Sequence, residues 1–199
     1  MNNPFFSVIV PAHNSAGYIE KGLHSIRQQS FKDYELIVVC DRCTDNTAGI
    51  ALNYADKVLI RDYGLDGLAR NAGIDAAEGQ YILFMDDDDW FLHEFVFHQL
   101  AARIGETSPD ILLFSFIWKT RGYTNQLRNR VIAVWAKCWR RDAIGSTRFP
   151  DTPYWSDVGF DRQMFSKPLC AERWDMPIYY YNYLREGSIS WRQAHGEIK

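Results

Sequence analysis

An α/β fold, with a mostly parallel sheet and helices on both of its faces, is what this sequence predicts. Three observations carry the prediction. Short apolar runs at 5–10, 34–39, 81–85 and 111–114 alternate with stretches of helical period. Apart from Ser7 and Glu35, those runs are apolar at successive positions rather than at every second one, the mark of strands covered on both faces. Clusters of polar residues follow the strands directly, and in such sheets ligands bind outside the carboxyl ends of the strands.

The elements follow in order. Residues 5–10 make a buried strand ended by Pro11, and Asn14 or Ser15 can cap a helix whose Ile19, Leu23 and Ile26 fall at i, i+4 and i+7. Residues 34–39 form the second strand, 44–53 a helix, 57–60 a short third strand and 67–77 the next helix. The strand 81–85 delivers Asp86-Asp87-Asp88-Asp89, and the helix after it turns Phe91, Leu92, Phe95, Val96 and Leu100 inward. After the strand at 111–114 the pattern loosens. Residues 119–130 are basic and read as a mobile loop or hairpin, 134–144 and 157–165 as helices (the latter opened by Ser156 or Asp157), and 179–184 as a tyrosine-rich strand. One domain spanning 1–199 accommodates this, regular to about residue 115 and less so from about 116.

Composition narrows the function. The chain of 199 residues is 47% hydrophobic and 24% charged, with a net charge of −3, which argues against nucleic acid as a partner because phosphate backbones demand a basic patch. No apolar run approaches the ~20 residues of a membrane span, and the first residues do not resemble a signal peptide, so a cytoplasmic location is expected. Four cysteines include Cys40-Asp41-Arg42-Cys43, formally a redox-type spacing; without a second pair it makes no zinc site. Small residues in a turn account for it more simply. Aromatics reach 15%, and Trp90, Trp135 and Trp155 are candidate platforms for sugar rings, with core packing as the alternative.

The chemistry concentrates in Asp86–Asp89. One or two aspartates can favour a helix N-terminus, but four in a row exceed that need. Mg²⁺ or Mn²⁺ is held by one or two carboxylates plus substrate phosphates, and its charge relieves their repulsion. A phosphate-bearing substrate then needs a home. There is no P-loop, and Gly64, Gly67 and Gly73 do not form a dinucleotide fingerprint. A nucleoside diphosphate held chiefly through metal remains, with Arg70 nearby to help neutralise it.

Six blocks in order resemble the family 2 inverting glycosyltransferases of GT-A, Rossmann-like fold: SVIVPAHN (7–14), ELIVVCDRCTDNT (35–47), GLARNAGIDAAEGQYILFMDDDDW (67–90), VWAKCWRRDAI (134–144), YWSDVGFD (154–161) and YYYNYLREGSIS (179–190). The resemblance implies a sugar moved from a nucleoside-diphosphate donor, a UDP-sugar by preference, to a hydroxyl of a glycan or lipid-linked acceptor. It implies Mn²⁺ or Mg²⁺ as cofactor and peripheral contact with the inner face of the cytoplasmic membrane. Carried over by position, the donor is bound by Pro11, Ala12, Asn14, Asp41, Arg70, Asp86 and Asp87, with Asp41 reading the base. Asp88, with Asp86, holds the metal, Asp89 caps a helix, and Asp157 is the catalytic base. The half to about 115 binds the nucleotide and the half from about 116 the acceptor. Two positions depart from the family: Cys40 and Ser156 stand where aspartate and glutamate are common. The rivals are a nucleotidyltransferase, a donor-binding subunit without turnover, and a redox protein built on Cys40 and Cys43.

Overall fold

The computed structural model describes residues 3–120, 123–126, 133–183, 185–188, 191–192 and 195–196. Among the described residues nine strands form one sheet in the order β3-β2-β1-β4-β8-β6-β9-β5, with β7 paired to β6. Its first four strands are parallel: β1 (Phe6–Ala12), β2 (Tyr34–Asp41), β3 (Lys57–Arg61) and β4 (Tyr81–Phe84). Val8, Ile9, Val10, Leu36, Ile37, Val38, Val39 and Ile82 are fully buried, as strands covered on both faces must be. Glu35 is buried among them because Ser7 Oγ, the Glu78 N–H and Lys57 Nζ all reach its carboxylate, at 2.6, 2.6 and 2.9 Å.

Beyond β4 the sheet is mixed. The sequence predicts a helix over 134–144; the structure instead has a 3-10 turn at Val134–Ala136, strand β8 (Lys137–Arg140) and one helical turn, α5 (Arg141–Ile144). Strand β8 lies antiparallel between β4 and β6 (Ile111–Thr120). A short run buried on both faces carries no periodic signal that separates strand from helix, and pairing with two neighbours decides it. Strand β9 (Ala171–Tyr181) starts earlier than its tyrosines suggest and runs parallel to β6. Its end pairs with β5 (Trp90–Phe91), so the following helix, α4 (Val96–Thr107), begins later than predicted and leaves Phe95 exposed.

Helices α1 (Ile19–Arg27), α2 (Thr47–Ala51), α3 (Asp66–Ala76) and α6 (Ser156–Phe165) complete the layers. Helix α2 is shorter than the predicted 44–53. In the basic stretch the end of β6 pairs antiparallel with β7 (Tyr123–Gln126); residues 121–122 and 127–130 lie outside the described residues. Among the described residues no helix is long and apolar enough to cross a membrane. Two glycines set how closely helices approach the functional rim. A Cβ on Gly22 would lie 2.6 Å from the Asp89 carbonyl oxygen, and one on Gly67 would lie 2.9 Å from Ser156 Cβ.

Candidate active site

Parallel strands β1, β2 and β4 end on one side, and this places Pro11 and Ala12, Asp41, and Asp86–Asp89 along one rim. The rim is stitched together across the chain. The His13 N–H reaches Asp87 Oδ2 at 3.3 Å, and His13 Nδ1 lies 2.7 Å from the Asp41 carbonyl oxygen. Asn14, at φ +48°, accepts the N–H groups of Thr44 and Asp45 on its side-chain oxygen at 2.7 and 3.3 Å. It therefore shapes the loop after β2 rather than capping α1.

The Asp41 carboxylate is 5% exposed and heavily used. Oδ1 accepts the Tyr63 N–H at 2.6 Å, while Oδ2 accepts those of Gly64 and Leu65 at 2.8 and 3.1 Å. Gly64 sits at φ +71°, the left-handed backbone that glycine takes at little cost. Asp41 thus builds the loop between β3 and α3, and a carboxylate with about four lone-pair positions keeps roughly one for a ligand.

The four aspartates have four different surroundings. Asp89 is fully buried; Tyr179 Oη donates to its Oδ2 at 2.6 Å and the Asn182 N–H to its Oδ1 at 2.8 Å. Tyr179 Oη also accepts the Asp86 N–H at 3.2 Å, so one hydroxyl spans the tetrad. Asp86 pairs with Arg70 at 2.7 Å and Asp88 with Arg185 at 2.7 Å. Arg185 in turn lies over the Tyr18 ring, 4.0 Å from its centroid. Burial and the neighbouring carboxylates raise Asp86 to about 6 despite Arg70, and burial with Asp88 beside it raises Asp87 to about 7. Asp89 is raised well above the carboxylate range, burial again leading. Burial and mutual repulsion thus make Asp86, Asp87 and Asp89 harder to ionise than free carboxylates.

Arg70, 6% exposed, connects this cluster to the other end of the rim. Its second ion pair, at 2.5 Å, is with Asp66, and Asp66 Oδ1 accepts the Ser156 hydroxyl at 3.1 Å. Ser156 opens α6, and Asp157 follows it in the first turn, half-buried. A continuous chain of contacts, Asp86–Arg70–Asp66–Ser156, thus ties the aspartate tetrad to the helix that carries Asp157. Beneath Asp157, Lys137 from β8 is buried and pairs with Asp161 at 2.8 Å. Burial lowers Lys137 and raises Asp161, the pairing opposing both shifts.

Among the described residues no group of three His, Cys, Asp or Glu stands ready to enclose a cation. Mg²⁺ or Mn²⁺ takes one or two carboxylates beside phosphate and water oxygens; here Asp86 and Asp88 hold Arg70 and Arg185. A cleft of about 710 Å³ opens beside Asp88, lined among others by Tyr18, Lys21, Trp90 and Asn182. The two cysteines of the redox-type spacing are free thiols: Cys40 is buried and held up at about 12 by burial, and Cys43 donates to the Ala12 carbonyl at 3.4 Å.

Reading the sequence alone leaves Tyr179, Asn182, Arg185, Asp66 and Lys137 out of the site. Asp66 reaches it through Arg70 one helical turn away, a spacing the sequence could have shown; the other four reach it through contacts distant in sequence, and the block at 179–190 was the one signal that its end of the chain belongs here.

Comparison with known proteins gives consistent matches. The profile described as Glycosyl transferase family 2 matches residues 7–169. The poly(ribitol-phosphate) beta-N-acetylglucosaminyltransferase TarS of Staphylococcus aureus is 38% identical over 116 residues, covering 54% of this chain and 20% of TarS. A PGL/p-HBAD biosynthesis glycosyltransferase of Mycobacterium bovis is 30% identical over 207 residues, covering 96% of this chain and 80% of that protein. The crystal structure of TarS 1-349 in complex with UDP-GlcNAc superposes with a TM-score of 0.81 at 28% identity, over 92% of this chain and 59% of that one. The first relatives compared are matched over only 36% and 20% of their own lengths.

Proposed function

Since the chain belongs to glycosyl transferase family 2 and has its GT-A fold, we propose that it moves a sugar from a UDP-linked donor to a hydroxyl of a glycan or lipid-linked acceptor, with inversion. The observation that carries this reading is the contact chain from Asp86 through Arg70 and Asp66 to Ser156. It holds a carboxylate cluster suited to a metal-bound diphosphate and a helix-borne carboxylate at two ends of one rim. The half to about residue 115 binds the nucleotide, and the half from about 116 binds the acceptor.

The backbone at Pro11 and Ala12 lines the place for the base, and Asp41 offers its remaining lone pair to the base's N3–H. Asn14 keeps the loop after β2 in shape for this. Asp87 faces the ribose, and Arg70 neutralises the diphosphate. Asp88, with Asp86, would hold Mn²⁺ or Mg²⁺, and a bound cation supplies Lewis-acid stabilisation of charge on the departing diphosphate. Arg185, paired with Asp88 here, stands beside the tetrad and would serve as a further positive partner for the phosphates. Asp157 accepts the proton of the acceptor hydroxyl as that oxygen attacks the anomeric carbon from the face opposite the nucleotide. Ser156, in place of the family's glutamate, serves by anchoring the helix to Asp66.

Titration calorimetry tests the donor side. UDP binds the wild type at least about tenfold more tightly with Mn²⁺ than with chelator, a difference of about 1.4 kcal/mol, and Asp88→Asn loses most of that gain while staying folded. Equal affinity with and without metal would remove the proposed role of the tetrad.

A further inference from the structure

Trp155 stands two residues before Asp157 and is 64% exposed, an unusual position for the largest side chain. Its backbone lies at φ +61°, ψ +27°, in the left-handed region that bulky residues avoid. Such a conformation persists only where its surroundings enforce it, and it clusters at ligand sites. Here the surroundings are rigid. The Trp155 carbonyl accepts the Gly159 N–H at 3.1 Å, and beneath the turn Phe149 and Phe160 stack at 4.1 Å. Tyr154, beside it, is 38% exposed.

The other tryptophans are engaged elsewhere. Trp135 and Trp139 are buried, and Trp90 is sandwiched between the Tyr180 ring at 4.0 Å and Lys21 Nζ at 3.0 Å. Trp118 and Trp191 lean on neighbouring rings, and Trp174 packs on the core. Trp155 keeps its face open.

Resting on the transferase reading, we infer that Trp155 is a specificity-determining residue for the acceptor, its indole stacking on the C–H face of the pyranose ring that presents the attacking hydroxyl. An exposed aromatic can also anchor a protein to lipid. The nearby carboxylates of Asp151 and Asp157 disfavour an anionic lipid surface, whereas a neutral sugar ring meets no such repulsion.

The test uses the full chain with UDP and Mn²⁺ and follows the Trp155 indole N–H resonance, identified by its loss in Trp155→Phe. Methyl β-pyranosides of glucose, galactose and N-acetylglucosamine are titrated, with glycerol as a ring-free control and phosphatidylglycerol vesicles as a lipid control. The resonance shifts saturably with at least one pyranoside and with neither control. Trp155→Gly weakens that pyranoside's binding at least about tenfold. Its Tm does not fall, because glycine relieves the left-handed backbone, and its UDP affinity stays within about twofold. A resonance that responds to vesicles but to no pyranoside overturns the inference, as does a glycine variant that binds pyranoside normally or loses Tm and UDP affinity. Failure of the wild type to bind UDP counts against the donor reading instead, and the pyranoside titration is then read without nucleotide.

Discussion

Asp41 shows how much one carboxylate can carry. Family resemblance made it a candidate base reader, but three backbone N–H groups at 63–65 claim most of its hydrogen-bonding capacity. Its two roles predict a paired loss. Asp41→Ala takes the acceptor from three part-buried N–H groups and should cost about 1–3 kcal/mol in urea denaturation. It should also narrow the preference for UDP over GDP in competition binding. A variant that loses neither would mean solvent replaces the carboxylate at both places. The tetrad was legible in the sequence because four adjacent aspartates have no cheap structural excuse. What separates its members was not, since Arg70, Arg185 and Tyr179 sit 16, 97 and 90 residues from the aspartates they touch.

Elements tell the same story in a different form. The strands β1, β2 and β4 and the helices α1 and α3 could be read from apolar runs and period, because each is long enough to show one. Strand β8 could not. VWAKCWRRDAI has apolar residues at spacings that suit a helix, and only pairing to β4 and β6 makes 137–140 extended. That placement buries Lys137 against Asp161 of α6, next to Asp157. Removing one partner of a buried ion pair typically costs ~3–5 kcal/mol, while replacing both by apolar groups is often neutral. Lys137→Met should therefore lower stability by about 3 kcal/mol, and Lys137→Met with Asp161→Leu should recover most of it. If the single variant loses less than about 1 kcal/mol, the pair is effectively solvated and does not brace α6.

At the scale of the whole molecule, one sheet carries the tetrad at the end of β4 and, through Arg70 and Asp66, the start of α6. Parallel strands at 6–41 and 81–84 made the convergence of Pro11, Asp41 and Asp86–Asp89 readable in advance, since parallel strands share a carboxyl edge. The link from this rim to the start of α6, through Arg70, Asp66 and Ser156, was implied only by family resemblance, because no periodicity in the second half fixes where α6 lies. The account rests on Asp157 acting as base on an acceptor hydroxyl. Asp157→Asn preserves size and much of the hydrogen bonding, including the cap on the Val158 N–H at 2.9 Å, but removes the proton acceptor. The decisive measurement is transfer from a UDP-sugar to a hydroxyl acceptor by this variant, alongside its UDP affinity with Mn²⁺. General-base assistance is worth about 10²–10⁴-fold, so transfer should fall at least ~100-fold with UDP affinity nearly unchanged, the wild-type product having inverted anomeric configuration. Transfer by Asp157→Asn at close to the wild-type rate, or a product that retains configuration, would contradict it.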